Sequence, residues 1–125
     1  MKVKEVMNKV VVIDHDVNLK QASQIMSDKN IGSLVVLKNN KIVGIVTERD
    51  ILKNISFLGK KITAVMSKNV VTLDKNESLE NAALIMAEKK IKRLPITEGG
   101  KLVGLITTTD IIANSDSLNE DFFFD

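Results

Sequence analysis

Two short stretches hold the residues best suited to chemistry. Gly44–Asp50 reads GIVTERD and Gly104–Asp110 reads GLITTTD, so Thr and Asp recur at one spacing behind a Gly-containing apolar run. Thr47 and Thr107 supply hydroxyls. Asp50 and Asp110 supply carboxylates, each able to accept two hydrogen bonds from a vicinal diol such as a ribose. A strand that runs into a helix N-terminus adds free N–H groups and a positive dipole end, which suits a phosphate. Together these groups describe a nucleotide site, with Thr near the phosphate and Asp on the sugar. The same residues also have a purely local reading. Thr as N-cap and Asp as the N3 acceptor form a capping box, which contributes about 0.5–2 kcal/mol per helix without any ligand. Gly44 and Gly104 argue for something more, because Gly weakens a strand unless something must approach its backbone closely.

Other chemistry is thinly supplied. The chain has no Cys, which removes disulfides, thiolate nucleophiles and thiolate metal sites together. His15 is its one His and, lacking a second His or Cys, reads as a solvated loop residue; no metal site is expected. General acid–base catalysis needs a convergent pair of groups with shifted pKa. Asp50 and Asp110 already have capping or diol roles, so no catalytic residue and no enzyme activity are expected. Lys60–Lys61 and the run Lys89, Lys90, Lys92, Arg93 are basic, yet the chain has no Tyr or Trp on which bases could stack. They read as solvated helix ends, and nucleic acid is not an expected partner. Met7, Met26, Met66 and Met86 read as adaptable core filler.

Behind these residues stands a chain of 125 residues, enough for one domain or two small halves sharing a core. Apolar residues make up 44% and aromatics 3%, so the interior must be aliphatic. No run of about 18 apolar residues occurs, and no signal-peptide pattern opens the chain; a soluble cytoplasmic protein without a membrane span is expected. The net charge is +2, but the last twelve residues, NSDSLNEDFFFD, hold four acids and no base, leaving a more basic body. That tail reads first as a disordered terminus; the alternative is that Phe122–Phe124 dock on a partner or a neighbouring subunit.

The positioning elements come from an internal repeat. Leu19–Lys53 laid over Leu79–Ala113 at a constant offset matches 13 of 35 positions, where ordinary composition gives roughly two. Val10–Ile13 and Val70–Leu73 are short β-branched runs that predict strands. Asn18 and Ser78 stand at N-cap positions, and Gln21 completes a box with Asn18. Leu19, Ala22, Ile25 and Met26, with Leu79, Ala82, Ala83 and Met86, give one apolar helical face per copy. SLVVL and LPIT predict strands, KNNK and EGGK predict turns, and KIVGIVT and KLVGLIT predict hairpin partners. ERDILKN and TTDIIAN close each copy as short helices. The expected organisation is repeat 1 over 1–55, a linker over 56–61, repeat 2 over 62–114, and an acidic tail over 115–125.

This ordered set of motifs, EVM…VVVI, AVM…VVTL, IKRLPI, GIVTERD and GLITTTD, resembles a tandem pair of cystathionine-β-synthase (CBS) domains, a Bateman module, over about Val3 to Ala113. The resemblance implies an α/β (α+β) fold of two βαββα repeats packed with pseudo-two-fold symmetry. It implies clefts between the repeats for an adenosine ligand such as AMP, ADP, ATP or S-adenosylmethionine, bound as a regulatory ligand and not as an obligatory cofactor. Asp50 and Asp110 would then hold ribose diols, Thr47 and Thr107 ribose or phosphate, and Arg49 or Thr109 phosphate. Ile31–Gly32 and Ile91–Lys92 would line the adenine pocket, each cleft joining the motif of one repeat to this stretch of the other. Lys92 and Arg93 are the phosphate cations by their chemistry, and Val11, Val12, Val70, Val71 and Thr72 would flank the base. A stand-alone homodimer regulating a partner protein is the expected biology; the alternative is a dimeric interaction scaffold with vestigial clefts. The family's strand Pro is present as Pro95 but is Val35 in repeat 1, and the cations differ between copies, so the two sites are expected to be unequal.

Overall fold

The computed structural model describes residues Met1–Ser117, so the Phe122–Phe124 segment lies outside the described residues. The chain forms two compact units. One is Val11–Val70; the other joins Met1–Val10 to the described residues from Val71 onward.

In the first unit, β1 (Val12–Ile13), α1 (Leu19–Lys29), β2 (Ser33–Lys38), β3 (Lys41–Thr47) and α2 (Glu48–Lys53) follow in order. The sheet is β1-β2-β3, with β1 parallel and β3 antiparallel to β2. Asn18 caps α1 as expected, its side chain accepting from the Gln21 N–H at 2.8 Å while Gln21 Oε1 accepts from the Asn18 N–H at 2.9 Å. The hairpin turns on Asn39 and Asn40, at φ 52° and 63°, the two-residue pattern whose twist matches the flanking strands. A further short helix, α3 (Ile62–Val65), was not apparent in the sequence. Asp16 holds its start, accepting from Thr63 Oγ1 at 2.8 Å and the Thr63 N–H at 3.3 Å. Ile62 is fully buried among Leu19, Leu34 and Val46.

The second unit repeats the plan with β4 (Leu73–Asp74), α4 (Leu79–Lys89), β5 (Arg93–Glu98), β6 (Lys101–Thr107) and α5 (Thr108–Ala113), followed by a 3₁₀ turn at Ser115–Ser117. Gly99 and Gly100 make its hairpin turn at φ 56° and 83°. The place of α3 is taken by a 3₁₀ turn, Val3–Glu5, whose Val3 is fully buried among Leu79, Leu94 and Ile106. Backbone bonds fasten this segment: the Val3 N–H donates to Glu77 O at 2.9 Å, and Asn8 and Leu105 exchange a pair at 2.9 and 3.0 Å. Val3→Ala should therefore lower urea stability by about 1.5 kcal/mol, the effect of trimming any core valine. An effect below about 0.3 kcal/mol would mean that residues 1–10 only lean on the unit.

The first strands are shorter than the predicted Val10–Ile13 and Val70–Leu73. The chain passes from one unit to the other at Val10/Val11 and Val70/Val71, so Val10 and Val70 lie outside the unit whose sheet they were expected to join. The register is the same in both sheets, Ile13 pairing with Val36 as Leu73 pairs with Ile96, but pairing begins at Val12 in the first and only at Leu73, one repeat position later, in the second. Pro95 explains the later start. It stands where Val35 stands, and lacks the N–H with which Val35 donates to Val11 O at 3.1 Å.

Among the described residues, no helix is long and apolar enough to cross a membrane.

Candidate functional site

In each unit the strand directions gather the predicted site residues at one end of the sheet. The starts of β1 and β2 and the end of β3 must share an end, because β1 runs with β2 and β3 against it. That end holds Val11 and Val12, Ile31 and Gly32, and the Thr47–Asp50 step into α2. Ser33 is the register partner of Thr47, and the Glu48 N–H donates to Gly32 O at 3.1 Å. The second unit likewise brings together Val71 and Thr72, Ile91, Lys92 and Arg93, and Thr107–Asp110. Arg93 pairs in register with Thr107, and the Thr108 N–H donates to Lys92 O at 3.0 Å. Within a unit, then, the motif adjoins the stretch before the central strand of the same repeat.

Both Thr–Asp pairs form capping boxes. Asp50 Oδ2 accepts from the Thr47 N–H at 2.8 Å and from Thr47 Oγ1 at 3.2 Å. Asp110 Oδ2 accepts from the Thr107 N–H at 2.7 Å and Oγ1 at 2.9 Å. The box occupies one carboxylate oxygen, and among the described residues Oδ1 of either Asp has no hydrogen-bond partner. Asn54 and Asn114 close the helices from below, each donating Nδ2 to the backbone carbonyl of its Asp at 2.8 Å. Both carboxylates are half-buried, while Arg49, Thr109 and Lys92 are exposed and Arg93 is half-buried. The cation therefore sits on the helix in one unit and on the strand in the other.

One residue at this site escaped the sequence reading. Asn8 donates Nδ2 to Asp110 Oδ2 at 2.8 Å, across 102 positions of sequence. Its counterpart is Ser67, which exchanges backbone bonds with Ile45 as Asn8 does with Leu105. Among the described residues, Ser67 makes no side-chain bond to Asp50. The signal in the sequence is the recurrence of Val-Met before Asn8 and Ser67, a pattern that marks equivalence without revealing contact.

The strand glycines have a different explanation from the one the sequence suggests. A Cβ on Gly104 would stand 2.5 Å from Met7 Sδ, 2.8 Å from Met7 Cγ and 3.1 Å from Asn8 O, and one on Gly44 would collide with the Met66 side chain. What approaches these backbones closely is a methionine of the chain itself. Met7 and Met66 pack against the margins of the two cores, as filler should.

His15 contacts Asp14 at 3.0 Å on the surface, and this hydrogen bond holds the Asp14 carboxyl below its ordinary value. No group of three or more His, Cys, Asp or Glu suited to a metal occurs among the described residues.

A family model described as the CBS domain matches residues 3–57 and again 62–116. The CBS domain-containing protein YhcV of Bacillus subtilis is 31% identical over 109 residues, covering 84% of this chain and 78% of YhcV. Inosine-5′-monophosphate dehydrogenase of Nitrosopumilus maritimus is 43% identical over 111 residues, covering 86% of this chain, which spans only 22% of that enzyme's length. Among solved structures, the CBS domain pair of protein MJ0100, in complex with 5′-methylthioadenosine and S-adenosyl-L-methionine, superposes with a TM-score of 0.87 at 27% identity, covering 94% of this chain and 97% of that one.

Proposed function

The chain belongs to the CBS domain family, and from that premise we propose that it is a regulatory module binding an adenosine-containing ligand at the sheet ends built on Asp50 and Asp110. The observation that carries this reading is the half-used carboxylate. One oxygen of each Asp is fixed by the cap, and the other is left open at a helix start with apolar strand residues alongside. A fixed carboxylate with an open oxygen is a preformed acceptor for a ribose diol. Val11, Val12, Ile31, Gly32, Val71, Thr72 and Ile91 then flank the base, while Thr47, Thr107, Thr109, Arg49, Lys92 and Arg93 face ribose and phosphate. The adenosyl ligands of the MJ0100 pair support the ligand class. AMP, ADP, ATP and S-adenosylmethionine are the candidates, each acting as a signal and not as an obligatory cofactor. Occupancy would favour whichever arrangement binds the ligand better, and so bias a regulated partner by population shift.

Thermal unfolding against AMP, ADP, ATP, S-adenosylmethionine and 5′-methylthioadenosine tests this directly. Free ligand at ten times its dissociation constant adds about 1.4 kcal/mol, which should raise the midpoint by about 5 °C. If none of the five shifts the midpoint at millimolar concentration, the ligand-binding reading is wrong.

Homodimerisation is part of the proposal. Leu52 on α2 and Ile112 on α5, equivalent in the repeat, are 68% and 71% exposed, apolar surface that a second copy would cover. Leu52→Glu with Ile112→Glu should convert a dimer to a monomer by light scattering on a sizing column; a wild-type monomer would refute this part. The same exposed residues favour the second reading, an interaction scaffold with vestigial sites. That reading requires dimerisation to persist while every ligand in the panel fails.

A further inference from the structure

We propose that Asn8 is a positioning residue for the Asp110 carboxylate, and that through it the Asp110 corner binds its ligand more tightly than the Asp50 corner. This rests on the reading of both corners as adenosine sites.

The two carboxylates are held unequally. Asp110 Oδ2 receives three donors: the Thr107 N–H at 2.7 Å, Thr107 Oγ1 at 2.9 Å and Asn8 Nδ2 at 2.8 Å. Asp50 Oδ2 receives two, and its hydroxyl bond is longer, at 3.2 Å. The third donor decides which way the carboxylate plane faces. Two bonds from one residue leave the group free to swing about them, whereas a third from another segment holds it. A carboxylate already held in its binding orientation loses less freedom when a diol docks on Oδ1. Asn8 also keeps its own Oδ1 as a second acceptor beside the carboxylate.

The difference lies in a single side chain. Asn8 and Ser67 occupy the same place in their units, each bonded reciprocally to the middle of the outer strand. The Ser67 hydroxyl sits one bond nearer its own backbone than the Asn8 amide nitrogen does. Cation placement does not rank the corners by itself, since Arg49 serves one and Lys92 with Arg93 the other.

The test is calorimetric titration of the full chain with S-adenosylmethionine and, separately, AMP. Two unequal phases are expected, with Asp110→Asn removing the tighter and Asp50→Asn the weaker. Asn8→Ser, which copies the residue of the other unit, should weaken the tighter phase about tenfold, the worth of one charge-assisted hydrogen bond. It should leave the weaker phase unmoved. Ser67→Asn should tighten the weaker phase. A purely structural Asn8 would instead lower both phases together with the thermal midpoint, and that result overturns the proposal. So does an unchanged tight phase in Asn8→Ser, an unchanged weak phase in Ser67→Asn, or loss of the tight phase in Asp50→Asn. Failure of the wild type to bind either probe overturns the adenosine reading itself, and the ranking with it.

Discussion

Asp110→Asn should leave the chain nearly as stable as wild type while weakening adenosine-ligand binding at that corner about a hundredfold. The prediction separates two roles that Ala substitution would confuse. At the N3 position of a capping box an amide carbonyl serves as acceptor just as a carboxylate does. The Asn carbonyl oxygen can take the place of Oδ2, which accepts from Thr107 and Asn8. That choice turns the amide nitrogen to the position of Oδ1. A donor then faces the ligand where the diol requires an acceptor, and the charge is gone. Losing a charge-assisted bond and leaving a polar pair mismatched costs about 2–3 kcal/mol, which is the hundredfold. Isothermal titration with S-adenosylmethionine and a urea melt on the same preparation decide the matter. A variant that binds like wild type would reduce Asp110 to a helix cap.

Gly104→Val should lower urea stability by about 3 kcal/mol, with or without ligand present. The new side chain would have to displace Met7, whose Sδ lies 2.5 Å from the Cβ position, and would press on the Asn8 carbonyl at 3.1 Å. Met7 can swing away, but Asn8 O is held by its bond from the Leu105 N–H at 3.0 Å. Gly44 faces only the flexible Met66 side chain, so Gly44→Ala should be milder than Gly104→Ala. Met7→Ala added to Gly104→Ala should recover part of the loss, a coupling readable in a double-mutant cycle. Were these glycines kept for a ligand, Gly104→Ala would spare the apo protein and damage binding alone.

Most of the local structure could be read in advance because its causes are local. Asn18 with Gln21, Thr47 with Asp50, and the Asn39–Asn40 turn are each decided by residues within three positions of one another. The repeat supplied the pairing of the hairpins. What could not be read were contacts made over long stretches of chain. Residues 1–10 pack on segments far along the chain, so nothing local announced that Val3 is fully buried. The glycines were legible as a demand for close approach, but the approaching group was a distant methionine. At the site, types and spacing located both carboxylates; the Asn8 amide that distinguishes them lies at the opposite end of the sequence. Pro95 was visible as a departure from Val35, and only the ladder revealed that it delays the start of pairing by one residue.

The division of the chain into Val11–Val70 and the remainder has a consequence for biosynthesis. Every residue of the Val11–Val70 unit has been made once Val70 is joined, so that unit can close early during translation. Residues 1–10 leave the ribosome before that unit, but their places beside Leu79, Leu94 and Leu105 do not yet exist. They must wait until Leu105 and Asp110 have been made, about a hundred residues later and several seconds at ordinary elongation rates. A segment made before the Val11–Val70 unit is thus seated after it, and its docking completes the Asp110 corner. A nascent or clipped chain lacking that docking would carry one finished corner and one unfinished, whatever the ligand supply.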